Sequence, residues 1–240
     1  MVVTDNTRDD YLHVDLAPSF GELNQESVKM MDDELKIMIS GTLHLLAKIP
    51  PSERIPPSER TWDKVMSTMM QASLLEPSDG KVDRVDKLLK KGVNVFKFDG
   101  SPDAAIVKEV QGWFSKLISD EDVLRSTKID INVLAKIVAQ TGATIDSFET
   151  LFYKNESHEK TMVDIGILRF PDISHPYFKV YRIKLVAWSQ SERILMVQND
   201  QNGITGEFNA RNFRPRKEVI QGLTEKTKQK AIEETESLWD

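Results

Sequence analysis

The histidines are the first residues to test for catalysis or metal binding. His13, His44, His158 and His175 lie in separate predicted elements, and none has a second histidine or a carboxylate at the spacing of H-E-x-x-H. The chain has no cysteine, which excludes thiolate metal sites, a cysteine nucleophile and a disulfide scaffold. We therefore predict no metal site and no cofactor.

Motifs for nucleophilic catalysis and phosphate binding are also missing. No G-x-S-x-G, G-x-x-x-x-G-K or G-x-G-x-x-G occurs, and the segment Gly203–Gly206 fits a hairpin turn instead. The neighbouring carboxylates Glu156, Glu159 and Asp164 are typical of solvated side chains beside a turn. No residue can be named as catalytic, and we expect a protein that is not an enzyme.

Basic and aromatic side chains are interleaved along one predicted strand. Residues 169–217 carry nine basic and four acidic side chains, within a chain whose net charge is −6. Such interleaving suits an anionic membrane surface, single-stranded nucleic acid or an ordinary solvated strand edge. No RNA-binding sheet signature occurs, so nucleic acid is not an expected partner. The candidate lipid-contact residues are Tyr177, Phe178, Lys179, Tyr181, Arg182, Lys184 and Trp188.

Hydrophobic spacing predicts helices in the first part of the chain and strands in the second. A helical hairpin is predicted over 28–75, with the tandem repeat IPPSERIPPSER at 49–60 as its loop and six of the nine methionines in its helices. The later predicted elements are a helix at 81–91, a strand at 93–98, helices at 103–118 and 131–145 around a charged loop, strands at 147–153, 161–170, 177–188 and 193–198, a hairpin turn at 199–203, a return strand at 204–213, and a helix at 217–239.

These elements predict an α/β fold with α+β order, in which one domain spans residues 1–240. An antiparallel sheet is wrapped by helical layers on both faces, because segments 183–188 and 194–197 are almost entirely apolar. Residues 1–20 are predicted to form a docking tail, 93–213 the core, and 217–239 a peripheral C-terminal helix.

The order of the elements resembles the Cyt cytolysin family, which includes the Cyt delta-endotoxins, volvatoxin and, more distantly, the Evf virulence factor. The resemblance covers about residues 104–213. It lies in the paired helical segments DAAIVKEVQGWFSKLIS and INVLAKIVAQTGATI, in the aromatic segment SFETLFYKNES, and in the spacing of TMVDIGILRF, IKLVAW, RILMVQND and GEFNARNF.

This resemblance implies a membrane-active toxin or virulence factor that binds lipid bilayers and perturbs or permeabilises them through its sheet after helix displacement. Residues 161–198 would engage the lipid, and helices 28–75 and 103–145 would cover them. The expected partners are membrane lipids, anionic ones included, and further copies of the chain on the membrane. The candidate residues of the displaceable cover are Met66, Met69, Met70, Trp113 and Phe114.

Two other functions stay open: a non-lytic lipid-binding or fatty-acid-binding protein of the same fold, and a scaffold or single-stranded nucleic-acid-binding protein. Charges on both faces of segment 177–188 weigh against deep insertion, because a charge facing lipid at mid-bilayer costs about 2–4 kcal/mol. No secretory signal or membrane-spanning run occurs. We expect a protein that is soluble when made, is released by a non-classical route or lysis, and acts at target-cell membranes.

Overall fold

Six helices and six strands are found in the part of the chain that the structure describes, which confirms the mixed α/β class. This computed structural model describes residues 10–19, 25–47, 61–91, 104–131, 153–154, 159–171, 176–194 and 197–237. The elements are β1 (Asp10–Leu16), α1 (Gln25–Ala47), α2 (Trp62–Gln71), β2 (Leu75–Lys91), α3 (Ala104–Ile118), α4 (Glu121–Ser126), β3 (Tyr153–Lys154), β4 (Glu159–Phe170), β5 (Tyr177–Ile194), β6 (Val197–Pro215), α5 (Lys217–Gln221) and α6 (Glu225–Glu236).

All six strands belong to one sheet. Its order is β1-β4-β5-β6-β2, and β3 pairs with β4 off this path. The pairing of β3 with β4 is antiparallel, with Tyr153 opposite Thr161 and Lys154 opposite Lys160. The neighbours β4, β5 and β6 follow one another with connections too short for a parallel crossover, so these pairs are antiparallel as well.

The chain divides into two compact units. The first unit contains Met1–Asp15, Val82–Ile167 and Tyr181–Ala210, and the second contains Leu16–Lys81, Leu168–Val180 and Arg211–Asp240. In the first unit, α3 buries one apolar face, formed by Ile106, Val110, Trp113, Phe114, Leu117 and Ile118. In the second unit, α1 buries Met31, Leu35, Ile37, Met38 and Leu46. A single domain over 1–240 stays a prediction.

Side-chain caps and one helix pair stabilise the helical parts. Thr61 caps α2 by accepting a hydrogen bond from the Lys64 amide at 3.3 Å, and Asp120 caps α4 in the same way. In the second unit the Thr235 hydroxyl of α6 donates to the Lys36 carbonyl of α1 at 2.8 Å. The apolar spacing of the sequence predicted α1, α2 and α3 correctly, but it did not predict that α1 pairs with α6.

Burial alternates along β5 and β6, as expected for strands whose two faces differ. In both strands the buried positions change parity: from even to odd between 180 and 181 in β5, and between 210 and 213 in β6. Lys184 and Val186 are half-buried, so over residues 183–186 one face of β5 is buried and the other is partly covered. The buried residues of β5 are Phe178, Val180, Tyr181, Ile183 and Leu185.

The prediction of a helix at 81–91 is wrong, because these residues form most of the long strand β2. Its apolar residues Val82, Val85, Leu88 and Leu89 recur at steps of three and four, which is the spacing of a helix. In the structure β2 is instead hydrogen-bonded to β6, and pairing with a neighbouring strand outweighs local helix propensity.

Four further predictions are corrected. Residues 10–16 of the supposed docking tail form β1, consistent with the two-residue spacing of Leu12, Val14 and Leu16. The charged loop contains α4. The supposed turn 199–203 lies inside β6, so 193–198 is not one strand. The last helix is divided into α5 and α6 at Gly222, where the α5 cap forms.

The strand at 93–98, the repeat at 49–60, nearly all of the helix at 131–145 and most of the strand at 147–153 lie outside the described residues.

Candidate functional site

Helix α3 covers the sheet in the first unit through a close contact with a glycine. A Cβ added at Gly206 of β6 would lie 2.4 Å from Leu117 Cδ2 and 3.0 Å from the Trp113 ring. The missing side chain therefore allows α3 to approach the strand, and a Cβ at this position would require the Leu117 or Trp113 side chain to shift.

The C-terminal end of α3 is also held by a side chain from the sheet. Arg84 Nη1 of β2 donates to the carbonyl oxygens of Leu117 at 3.2 Å and of Ile118 at 2.7 Å. These carbonyls have no partner within the helix, and a cation is favourable at a helix C-terminus. Arg84 thus fixes the helix end by polar contacts that water can replace.

The apolar face of α3 contains one unsatisfied polar group. Trp113 is 8% exposed, and its Nε1 has no hydrogen-bond partner within the described part of the chain. A buried donor without an acceptor costs about 1–3 kcal/mol. The Trp113 ring is therefore buried, while its N–H group has no acceptor among the described residues. Phe114, the other α3 cover candidate, is 2% exposed.

Four predicted lipid-contact residues of β5 lie in the first unit, and two of them, Arg182 and Lys184, form a polar ladder with β6. Arg182 Nη2 donates to Glu207 Oε2 and to Asn209 Oδ1, each at 2.8 Å, and Lys184 Nζ lies 3.4 Å from Glu207 Oε1. Both cations share one carboxylate. Tyr181 is fully buried, so its side chain is not accessible to lipid in this conformation.

The other predicted lipid contacts of β5 with described side chains lie in the second unit. Tyr177 stacks on Phe170 of β4 with ring centroids 4.3 Å apart, and the Lys179 ammonium lies 5.0 Å from the centre of the same Phe170 ring. Tyr177 and Lys179 are half-buried, whereas Phe178 is buried. A cation over stacked aromatic rings resembles the side-chain mixture of membrane interfaces. The structure describes the backbone of Trp188 in β5 but not its side chain.

The methionines of α2 differ in their accessibility. Met66 is buried, Met69 is half-buried and Met70 is 56% exposed. Only Met66 is therefore a core residue, and an exposed flexible side chain such as Met70 is available for contacts outside the chain.

A buried polar cluster around His13 was not predicted from the sequence. His13 of β1 places Nδ1 2.6 Å from Asp15 Oδ2 and Nε2 2.9 Å from Asp164 Oδ1 of β4. Asp164 is fully buried and also accepts a hydrogen bond from the Thr127 hydroxyl at 2.5 Å. The Tyr181 hydroxyl lies 2.9 Å from His13 Nε2. Both ring nitrogens of His13 thus face carboxylates, which favours the imidazolium form.

The titration of this cluster follows from its geometry. The hydrogen bond to Asp164 raises the pKa of His13, against the opposing effect of burial, with further help from Asp15. Burial, followed by the negative charge of Asp164, raises the pKa of Tyr181 far above its usual range. The cluster therefore favours the imidazolium form of His13 between two carboxylates, beside a Tyr181 phenol that stays protonated.

A cleft between α1 and α6 in the second unit is a separate candidate site. Its volume is about 380 Å³. Glu234 Oε2 accepts hydrogen bonds from the Ser40 hydroxyl at 3.0 Å and from His44 Nε2 at 2.8 Å, and the His44 contact lowers the pKa of Glu234. Lys226 and Lys230 add positive charge at its rim. The apolar lining consists of Ile37, Leu74, Leu223 and Ala231.

Among the comparisons with known proteins, that with solved structures finds matches. No protein-family model matches the chain, and no curated protein matches it. The fold is similar to the structure of the Evf virulence factor at a TM-score of 0.33 and 12% sequence identity, over 96% of this chain and 81% of that chain. This likeness is too low to transfer the role of any residue.

Two findings concern what the described residues lack. None of the described helices combines the length and the apolarity that crossing a bilayer would require. In the same residues, no three histidine or carboxylate side chains are grouped as a metal site would need.

The sequence could not reveal the His13 cluster or the α1–α6 cleft. His13 and Asp164 are 151 residues apart, and His44 and Glu234 are 190 residues apart. No local spacing links such residues. The only available signal was the placement of His13 within the two-residue alternation of β1.

Proposed function

We propose that this protein is membrane-active: it binds lipid bilayers and perturbs them through its sheet once α3 has been displaced. The observation that supports this proposal is the way α3 is attached to the sheet. The helix buries a broad apolar face against a glycine, is held at one end by Arg84, and leaves the Trp113 N–H without a partner among the described residues. At a membrane interface the apolar face would stay buried and the indole N–H would find an acceptor.

The strands are long enough for the role that we assign to them. β4, β5 and β6 contain 12, 18 and 19 residues, whereas crossing the hydrocarbon core takes about 9–11 residues of strand. Arg182 and Lys184 oppose deep insertion, but their shared partner Glu207 reduces the charge that must be moved. We therefore propose contact through the basic residues with anionic head groups as the first step.

The first test is dye release from vesicles of phosphatidylcholine with and without phosphatidylglycerol, with co-sedimentation on the same vesicles. We expect leakage and binding that are stronger with the anionic lipid. The triple variant Lys179→Gln, Arg182→Gln, Lys184→Gln should lose at least about tenfold in binding to the anionic vesicles, because each basic residue near such a surface contributes about 1 kcal/mol.

A matched control removes the same charge elsewhere. Lys29, Arg125 and Arg216 are exposed residues outside β5, α3 and the α1–α6 cleft, and their replacement by Gln should leave both binding and leakage close to the wild-type level. If neither the wild type nor the control variant binds any of these vesicles or causes dye release from them, the proposed membrane function is wrong.

A second function, the binding of a fatty acid without lysis, is favoured by the α1–α6 cleft. An acyl chain would lie on the apolar lining, and its carboxylate would lie near Lys226 and Lys230. We expect cis-parinaric acid fluorescence to rise on binding, and Ala231→Trp to reduce that rise by filling the cleft. The matched variant Ala105→Trp, at an exposed position of α3, should leave it unchanged. Equal fluorescence with both variants would contradict this site.

A further inference from the structure

The strand β2 forms one end of the described sheet and is unusually exposed. It is the last strand in the order β1-β4-β5-β6-β2. All five residues from Asp83 to Lys87 are exposed, and Val85 is 70% exposed. A long strand at the end of a sheet is a template for another strand, because half of its backbone groups point away from its neighbour.

We propose that β2 pairs with β2 of a second copy of this chain, as an antiparallel pair with a two-fold axis at Val85. This register places Arg84 opposite Asp86 of the other copy and Asp83 opposite Lys87. The apolar residues Val82 and Leu88 also oppose one another, and Val85 opposes itself. The pairing is therefore self-complementary in charge and in hydrophobicity over residues 82–88.

The charges of β2 exclude the neighbouring registers. In a two-fold antiparallel pair an outward-pointing residue must oppose another outward-pointing residue, so the axis passes through a residue rather than between two. An axis at Asp83, Arg84, Asp86 or Lys87 would place that charged residue against its own copy. Of the five exposed residues, only Val85 can oppose itself without like-charge repulsion.

Asp83 and Arg84 already contact other parts of the chain, and these contacts are compatible with the pairing. Arg84 uses Nη1 for the α3 carbonyls, and a guanidinium has five N–H donors. Asp83 Oδ1 accepts a hydrogen bond from Asn209 at 2.8 Å, and a carboxylate accepts several. The occupant is a second copy because the complementarity is that of the segment with itself.

Sedimentation velocity over a range of protein concentrations tests this dimer without lipid, so it is independent of the proposed membrane function. We expect a reversible dimer for the wild type. Asp83→Lys and Lys87→Asp each place like charges opposite one another twice per dimer, and each should raise the dimer Kd by at least about tenfold. Lys108→Asp, the same substitution at an exposed position of α3, should not change it.

Mixing the two weakened variants provides the decisive measurement. The Asp83→Lys variant carries lysine at positions 83 and 87, and the Lys87→Asp variant carries aspartate at both. Their equimolar mixture should form a heterodimer with about the wild-type Kd, and the double variant Asp83→Lys, Lys87→Asp should form a homodimer again. A wild-type chain that is monomeric at every concentration, or single variants that dimerise like the wild type, would overturn the proposal. Recovery of the dimer on mixing also shows that each variant has folded.

Discussion

Replacing His13 by leucine should lower the free energy of unfolding by about 3–5 kcal/mol at pH 6, the cost typical of removing one partner of a buried ion pair. The His13 side chain is 12% exposed and Asp164 is fully buried. Without the imidazolium, the Asp164 carboxylate keeps the Thr127 hydroxyl and the Lys128 amide as donors, but no cation.

The loss should depend on pH in a defined direction. The folded-state pKa of His13 is raised above its ordinary value of 6.5, so the imidazolium stabilises the fold fully below the unfolded-state pKa. This stabilisation is lost as the pH rises through the folded-state pKa. The charged and titratable groups around the imidazole are Asp15, Asp164, Lys128 and Tyr181. The difference between wild type and His13→Leu should therefore shrink from pH 6 towards pH 9.

Urea unfolding at a series of pH values gives both quantities. His44→Leu is the matched control, because His44 also contacts a carboxylate but its side chain is 56% exposed, and exposed pairs contribute at most about 1 kcal/mol. A His13→Leu variant as stable as the His44→Leu variant at pH 6 would contradict the role of the cluster, as would a difference that grows with pH.

Fixing α3 to the sheet by a disulfide should abolish dye release while leaving vesicle binding intact. The pair Gly206→Cys, Leu117→Cys suits this purpose, because an added Cβ at 206 would lie 2.4 Å from Leu117 Cδ2, so side chains at the two positions meet. In the oxidised protein α3 cannot leave the sheet, whereas Lys179, Arg182 and Lys184 are unchanged. Leakage should therefore fall to background, and vesicle co-sedimentation should not fall.

The same protein serves as its own control after reduction. The chain has no cysteine, so no other disulfide can form within it, and dithiothreitol should restore the leakage. Gly206→Cys and Leu117→Cys alone should leak equally with and without reductant. An oxidised double variant that leaks like its reduced form would show that α3 does not need to move.

Local sequence patterns predicted the elements whose own apolar spacing decides their structure. The stripes of α1, α2 and α3 and the apolar runs of β4 and β5 are examples, because each buries one face of its own residues. Residues 81–91 were predicted to be a helix, but they form part of the exposed strand β2. An exposed edge strand has no buried face, so its charged residues do not follow the two-residue alternation of a half-buried strand. Segment 199–203 has turn-forming residues, yet it lies within β6, where strand pairing outweighs local preference.

The candidate sites were likewise predictable from the sequence only in part. The mixture of aromatic and basic residues on β5 was visible in the sequence, but not that Arg182 and Lys184 share Glu207 or that Tyr181 contacts His13. Gly206 shows the same limit: a glycine in a predicted turn region proved to be the contact surface for α3. Each of these contacts depends on which strands and helices become neighbours.

The pairing of early and late segments has a consequence for how the chain is made. Lys36 of α1 binds Glu236 of α6, 200 residues later, and His13 binds Asp164, 151 residues later. At about 5–20 residues per second, a ribosome needs roughly 10–40 s to add 200 residues. Throughout that interval the apolar face of α1 has no α6 to pack against, and contacts of such long sequence separation also slow folding. The nascent protein is therefore expected to depend on chaperones until α6 has left the ribosome.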